Sequence, residues 1–98
     1  MSENRAAVLA PTDPVLDLLE FEATDVTGTH NVVARDVQSS LPAGAVASAL
    51  AHRMSLPADV PWALRDERSS AFLDDGVAIG DQIETKARLT VVPKSHLG

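Results

Sequence analysis

The chain has 98 residues, a formal net charge of −6, an apolar fraction of 45% and no cysteine. This length suits one small domain, and the scarcity of aromatic residues predicts a core of aliphatic side chains. Without cysteine, the chain has no disulfide, thiolate metal ligand or cysteine nucleophile, and without a basic cluster we expect no nucleic-acid partner.

The N-terminal residues carry no targeting pattern. Residues 1–14 are predicted to be a flexible leader, because Pro11 and Pro14 bracket a polar dipeptide and nothing in this stretch is periodic. The leader lacks the basic start and apolar centre of a secretory signal. No apolar run in the chain approaches the ~20 residues of a membrane helix. The sequence therefore predicts a cytoplasmic protein with no membrane partner.

A β-hairpin is predicted at the start of the folded domain, which we place at residues 15–93. From Leu18, three apolar residues alternate with polar ones, as in a half-buried strand. These apolar residues are Leu19, Phe21 and Ala23. A turn with Gly28, which readily takes a positive φ, leads to a second strand over residues 30–37. The inward face of this strand stays open between two pairs, Val32 with Ala34 and Val33 with Val37.

Helical spacing replaces the alternation from Pro42 to Met54. The apolar residues of this segment recur at intervals of three and four, which predicts one amphipathic helix. They are Ala43, Val46, Ala47, Leu50 and Met54. Pro42 suits a first helical turn. The N-cap stays open between Ser39, Ser40 and a backbone group.

Extended segments predominate after the helix. Residues 61–66 are predicted to form a strand with Trp62 and Leu64 on one face, and residues 71–73 a short strand. The turn Asp74–Gly76 follows, and residues 79–83 form either a helical turn or a loop. The last strand is predicted over residues 85–92, and its pairing should end at Pro93, which has no N–H to donate.

This order of elements, followed by a tail that ends in glycine, resembles the ubiquitin-like β-grasp fold. The likeness covers residues 18–98, and four stretches carry it. They are Leu56-Pro57 with Trp62-Ala63-Leu64-Arg65, then Leu73-Asp74-Asp75-Gly76, then Ile79-Gly80-Asp81-Gln82-Ile83, then Leu89 to Gly98. The resemblance implies an α+β fold in which one main helix packs across a mixed sheet of four to five strands. The first and last strands would be central and parallel.

More narrowly, the chain is similar to bacterial ubiquitin-like modifiers encoded beside activating-type, conjugating-type and JAB-type peptidase enzymes. This resemblance implies that an activating enzyme, which uses ATP and Mg²⁺, adenylates the carboxylate of Gly98. The acyl group would then pass to enzyme cysteines and to an amine of a target protein. The chain itself would be no enzyme and would need no cofactor.

The same resemblance assigns roles along the tail, residues 94–98. The activating enzyme would read the four residues before Gly98, and two lysines are candidate acceptors for chain formation. The four residues are Lys94, Ser95, His96 and Leu97. The two lysines are Lys86 and Lys94.

The sequence also departs from ubiquitin. Leu97 stands where ubiquitin has the first glycine of its terminal pair. The outward positions that match ubiquitin's apolar docking patch are mostly polar here, namely Ala63 or Arg65 with Arg88 and Thr90. Two other functions stay open: a sulfur carrier with a C-terminal thiocarboxylate, and a non-covalent interaction module of a secretion system.

Other chemistry-bearing residues do not form a recognisable motif. His30, His52 and His96 fall on different elements without metal-ligand spacing, so we predict no metal site. The Asp74–Gly76 stretch lacks the rest of a calcium loop and is read as a turn. Trp62 is expected in the core or at its rim, with an exposed partner anchor as the alternative.

Overall fold

The computed structural model describes residues 18–94. Four strands, one α-helix and one short 3₁₀ helix follow one another along this part of the chain. They are β1 (Leu18–Asp25), β2 (Asn31–Gln38), α1 (Ala43–Arg53), β3 (Trp62–Asp66), the 3₁₀ helix Ile79–Asp81 and β4 (Arg88–Pro93). The strands form one sheet in the order β2-β1-β4-β3. The central pair β1–β4 is parallel, and the two outer pairs are antiparallel.

Helix α1 packs across one face of this sheet. Its apolar stripe meets the inward residues of three strands, so the predicted amphipathic helix and the predicted inward positions of β1 and β3 are confirmed. The most deeply buried large side chains are Phe21, Leu64, Ile79, Leu89 and Val91. A single helix on a mixed sheet is a two-layer α+β architecture, which confirms the predicted fold class with four strands.

The hairpin β1–β2 contains a β-bulge. Phe21 pairs with Ala34, but Leu19 pairs with Val37, so β2 carries one extra residue between the two pairs. Asp36 lies there with a φ of 58°. An extra residue reverses the side-chain alternation, so Val37 joins the core face after the bulge. The core face of β2 is therefore Val32, Ala34 and Val37, and Val33 is exposed.

Helix α1 begins with a backbone cap supplied from a distant loop. Pro42 is its N-cap residue and makes no side-chain cap hydrogen bond. The first amides of the helix donate instead to loop carbonyls: Ala43 N to Val77 O at 3.0 Å, and Gly44 N to Asp75 O at 2.9 Å. These two bonds satisfy amides that have no partner within a helix. They decide the question of the N-cap in favour of a backbone cap.

The last strand differs from its prediction at both ends. It begins at Arg88 and not at Thr85, because Lys86 has a φ of 67° and interrupts the extended run. At the other end, the strand reaches Pro93, one residue beyond the predicted range, and Trp62–Pro93 is the last pair of the β3–β4 ladder, so pairing ends at Pro93 as predicted. Lys94 N donates to Pro61 O at 2.9 Å. Because hydrogen-bonded and non-hydrogen-bonded pairs alternate along an antiparallel ladder, Trp62–Pro93 is a non-hydrogen-bonded pair and does not need the N–H that proline lacks.

Two further segments complete the described part. Residues 71–73 add only an isolated bridge, Arg65 with Phe72, so the predicted short strand is reduced to a single contact beside β3. Residues 79–81 form a 3₁₀ helix, which decides between the two predicted alternatives, a helical turn and a loop, in favour of the helical turn. Within residues 18–94, no helix is long and apolar enough to cross a membrane.

Candidate functional site at the end of the last strand

The predicted conjugation tail begins where β4 ends. Lys94 is the last residue that the structure describes, and Ser95, His96, Leu97 and Gly98 lie outside the described residues. The predicted leader, residues 1–14, also lies outside them. The site that can be built from contacts is therefore the root of the tail, which we define as Lys94 and the residues that hold it.

Lys94 is attached to two separate parts of the fold. Its amide donates to Pro61 O at 2.9 Å and so extends the β3–β4 pairing by one residue. Its ammonium group forms an ion pair with the carboxylate of Asp75. The two side chains are 40% and 38% exposed. One contact fixes the backbone of the tail root and the other fixes its side chain.

Asp75 belongs to a loop, residues 74–77, that is closed by a single glutamine. Asp74 N donates to Gln82 Oε1 at 2.7 Å. The amide nitrogen of Gln82 donates back to Asp74 O at 2.9 Å and to Val77 O at 3.0 Å. Gly76 N donates to the Asp74 carboxylate at 3.1 Å, as in the predicted turn. The loop that presents the Asp75 carboxylate is thus tied at both ends.

Gly44 allows this loop to lie against the helix. A Cβ at this position would come within 3.1 Å of Asp75 Cβ and 3.2 Å of its carbonyl oxygen. Contacts this short force the neighbouring atoms to move. Glycine in the first turn of this helix is therefore explained by its close packing against Asp75, about thirty residues away along the chain.

Lys86, the other candidate acceptor, lies at the opposite end of β4 from Lys94. It occupies the turn before the strand, is exposed, and makes no ion pair with any residue in the described range. Its amide donates to Glu20 O at 2.5 Å. The structure therefore separates the two lysines and gives them different surroundings.

The sheet face opposite α1 is charged at its periphery. Three ion pairs lie there: Arg88–Glu22 at 3.5 Å, Arg35–Glu20 at 4.0 Å and Arg65–Glu67 at 3.2 Å. Ala63, Thr90 and Val92 share this face and are buried. Arg65 and Arg88 lie on this face, at the outward positions that the resemblance to ubiquitin predicted for them. Val92, two residues after Thr90, belongs to the same face and was not included in that prediction.

The histidines do not converge. His30 contacts Asp25 in the hairpin turn, His52 lies exposed on α1, and His96 is outside the described residues. In residues 18–94, no three His, Asp or Glu side chains are arranged to hold a metal ion. Trp62 packs against the core and donates from its ring nitrogen to Pro57 O at 2.9 Å, which places it at the rim of the core.

Among residues 18–94, Asp25 is the titratable residue whose pKa the fold shifts most clearly. Its buried carboxylate accepts hydrogen bonds from the His30 ring at 2.8 Å, from the His30 amide at 3.2 Å and from the Thr27 hydroxyl at 3.0 Å. The bond from the His30 ring is the main cause that lowers the pKa of Asp25 from 3.8 to about 2, while burial opposes the shift. This arrangement closes the hairpin turn, and its hydrogen bonds involve neither Lys94 nor Asp75.

Comparison with known proteins identifies the fold. Neither a protein-family model nor a curated protein matches the sequence. Among solved structures, the ubiquitin of Caldiarchaeum subterraneum is similar with a TM-score of 0.64 and 14% identity, covering 79% of this chain and 94% of its own. A chain solved in work on molecular mimicry of SUMO in DNA repair gives 0.64 and 10%, covering 76% and 90%.

A third structure extends this set to a multicomponent enzyme. One chain of the toluene 4-monooxygenase HD complex with the inhibitor 4-bromobenzoate has a TM-score of 0.65 and 16% identity, covering 79% of this chain and 99% of its own. At these identities the three likenesses establish the ubiquitin-like β-grasp fold. They do not extend to the chemistry.

Proposed function

We propose that the chain is a bacterial ubiquitin-like protein modifier that acts through the carboxylate of Gly98. The observation that carries the proposal is the position of the tail root. Residues 95–98 continue from β4, a central strand, at a point where Lys94 is held by both Pro61 and Asp75. Glycine at the end of such a tail has no side chain to obstruct entry into a narrow active site.

The proposed chemistry is acyl transfer in three steps. The Gly98 carboxylate attacks ATP on a Mg²⁺-dependent activating-type enzyme and forms an acyl adenylate with release of pyrophosphate. A cysteine thiolate of the enzyme displaces AMP to give a thioester, and a target amine displaces the thiolate to give an amide. A conjugating-type enzyme carries the thioester, and a JAB-type peptidase hydrolyses the amide. The chain supplies the acyl group and a docking surface.

Partners, cofactors and location follow from this chemistry. ATP and Mg²⁺ belong to the activating enzyme, so the modifier needs no cofactor and contributes no catalytic residue. Because activation consumes ATP, the proposal assigns the chain to the cytoplasm. In the activating enzyme, the residues read in the channel are Lys94, Ser95, His96 and Leu97.

The test is activation of the full chain in vitro. The chain is incubated with the activating-type enzyme of its source genome, ATP and Mg²⁺, and intact masses are recorded. A thiol-sensitive enzyme adduct followed by an amide-linked product supports the modifier. Exchange of one oxygen for sulfur at the carboxylate establishes the sulfur carrier instead. If the carboxylate reacts in neither way, both functions are excluded.

Deletion of Gly98 provides the matched control. We expect the shortened chain to form no adduct, because the remaining terminal carboxylate belongs to Leu97 and is one residue too short to reach the active site. Its unfolding temperature should stay close to that of the full chain, since a single terminal glycine contributes little to the stability of a fold. A large loss of stability would show that the tail serves the fold and not the reaction.

A second candidate function is that of a non-covalent β-grasp module within a larger assembly. The similarity to nearly the whole of one chain in the toluene 4-monooxygenase HD complex favours this candidate. The two functions differ in what they ask of Gly98. A module retains its cellular function when Gly98 is deleted, whereas a modifier loses it.

A further inference from the structure

The Lys94–Asp75 ion pair lies at the residue from which the proposed conjugation tail continues. When only the backbone of a residue is held, its side chain remains free to turn. Lys94 is held through both its amide and its ammonium group. Three residues, 95–97, separate it from Gly98. Lys94 is therefore the described residue that is nearest in sequence to the reacting carboxylate.

Stability does not account for this ion pair. Both side chains are more than one third exposed, and exposed pairs between flexible side chains contribute little to folding. Such a pair can restrict the orientation of the two side chains that form it. Binding is favoured when a segment is already held in its bound direction, because less freedom is then lost on association.

Asp75 is well placed to restrict Lys94 because its own position is fixed. The Gln82 side chain closes its loop with three hydrogen bonds. The backbone carbonyl oxygen of Asp75 accepts a hydrogen bond from Gly44 N at the start of α1. The carboxylate is thus presented from a rigid loop, and Lys94 is the flexible partner that adapts to it.

We propose that Asp75 is a positioning residue that holds Lys94, the residue from which the tail continues, in the arrangement that the activating enzyme binds. It acts on the reaction at Gly98 only through Lys94. This inference rests on the proposed function. It also refines that proposal at one residue: the Lys94 ammonium, counted there among the groups read in the channel, is assigned here to an internal contact with Asp75.

The first experiment compares Asp75→Asn with the unaltered chain in thioester formation by the activating enzyme. Asn keeps the size and the backbone of Asp75 but loses the ion pair. We expect kcat/KM for adduct formation to fall about two- to fivefold, mainly through KM, the size expected for loss of an exposed pair. Asp74→Asn is the matched control, because it removes the same charge from the same loop and lies outside the Lys94 contact.

The exchanged pair Asp75→Lys with Lys94→Asp separates positioning from direct recognition. If Asp75 acts by holding residue 94, the exchanged chain regains most of the kcat/KM that either single change removes. If the enzyme reads the Lys94 ammonium directly, the exchanged chain is as poor as Lys94→Asp alone, and the inference is overturned. Equal rates for Asp75→Asn and Asp74→Asn would also overturn it.

Hydrogen exchange of the Lys94 amide tests the same idea without the enzyme. We expect Asp75→Asn to speed this exchange about two- to fivefold, since the amide opens from Pro61 O more often once the side chain is released. An unchanged exchange rate would refute positioning by Asp75. If the unaltered chain forms no enzyme adduct at all, the proposed function fails, and the exchange measurement still decides what Asp75 does.

Discussion

At the scale of single residues, the hairpin turn shows how one carboxylate organises its neighbours. Asp25 accepts three hydrogen bonds from Thr27 and His30, and its own carbonyl accepts from Gly28 N at 3.0 Å. A buried carboxylate is costly unless it is satisfied in this way. Its lowered pKa is a measure of how much better the folded turn holds the ionised form than the unfolded chain does.

We therefore predict that Asp25 stabilises the fold in a pH-dependent way. Because its pKa falls from 3.8 to about 2, its contribution is complete above about pH 4 and is lost as the pH falls towards 2. Asp25→Asn should cost about 2 kcal/mol of unfolding free energy at pH 7. Urea unfolding at several pH values should show the difference from the unaltered chain shrinking below pH 4.

The control for this prediction is Asp59→Asn, which removes the same charge from an exposed loop. Its unfolding free energy should stay within about 0.5 kcal/mol of the unaltered chain. A cost of Asp25→Asn that stays constant from pH 7 to pH 2 would contradict the role assigned to the ionised carboxylate.

Ser55 offers a second prediction at this scale. It follows α1 with a φ of 59°, in the left-handed region that suits glycine after a helix, and its side chain is exposed. Ser55→Gly should raise the unfolding free energy by about 0.5–1 kcal/mol, because it relieves this conformation. Ser55→Ala keeps the strain and should bring no gain, and denaturant unfolding of both variants would show the contrast.

At the scale of elements, the periodicity of the sequence was enough to place β1, α1 and β3. It failed in β2 for a reason that the bulge explains. The pairs Val32–Ala34 and Val33–Val37 compete only if the strand alternates without interruption. One extra residue at the bulge puts Val37 on the face of Ala34, so the conflict in the pattern was itself the mark of the irregularity.

The start of α1 and the closed loop beside it could not be predicted from local sequence. The cap comes from carbonyls of residues 75 and 77, and the loop depends on the side chain of Gln82. The cap joins segments about thirty residues apart along the chain, and the Gln82 contacts, although only five and eight residues apart, depend on the direction of one side chain in an irregular loop. Propensity and periodicity carry no information on either. The glycine tail, in contrast, was visible in the sequence, but the Asp75–Lys94 pair at its root was not.

The Gln82 side chain is predicted to hold the loop against α1. Gln82→Ala removes all three of its hydrogen bonds and should lower the unfolding free energy by about 1–2 kcal/mol. Asp81→Ala, at the exposed last residue of the 3₁₀ helix that precedes Gln82, should have little effect. Equal stability of the two variants in urea would show that the loop is held by the backbone alone.

At the scale of the whole molecule, the two lysines lie at opposite ends of β4 and differ in their availability. The Lys94 ammonium is paired with Asp75, whereas Lys86 is exposed and makes no ion pair with another described residue. The Lys94 amine must leave the Asp75 carboxylate before it can attack an acyl group, whereas no ion pair with a described residue holds the Lys86 amine. Any self-linked product of the proposed reaction is therefore expected to be joined through Lys86.

Lys86→Arg and Lys94→Arg test this expectation as a matched pair, since both keep the charge and remove the acceptor. The first should abolish self-linked product in the activation assay, and the second should leave most of it. Peptide mass spectrometry of the product would identify the linkage. A bond to Lys94, or to the N-terminal amine, would contradict the prediction.

The parallel pairing of β1 with β4 also fixes when the molecule can fold. Residues 18–25 must wait for residues 88–93 to be synthesised before the centre of the sheet exists. Contacts this distant along the chain slow folding, and they cannot form while the last strand is still inside the ribosome. A chain that stops before β4 loses the middle of its sheet, so in the proposed function only a completed and folded molecule presents Gly98.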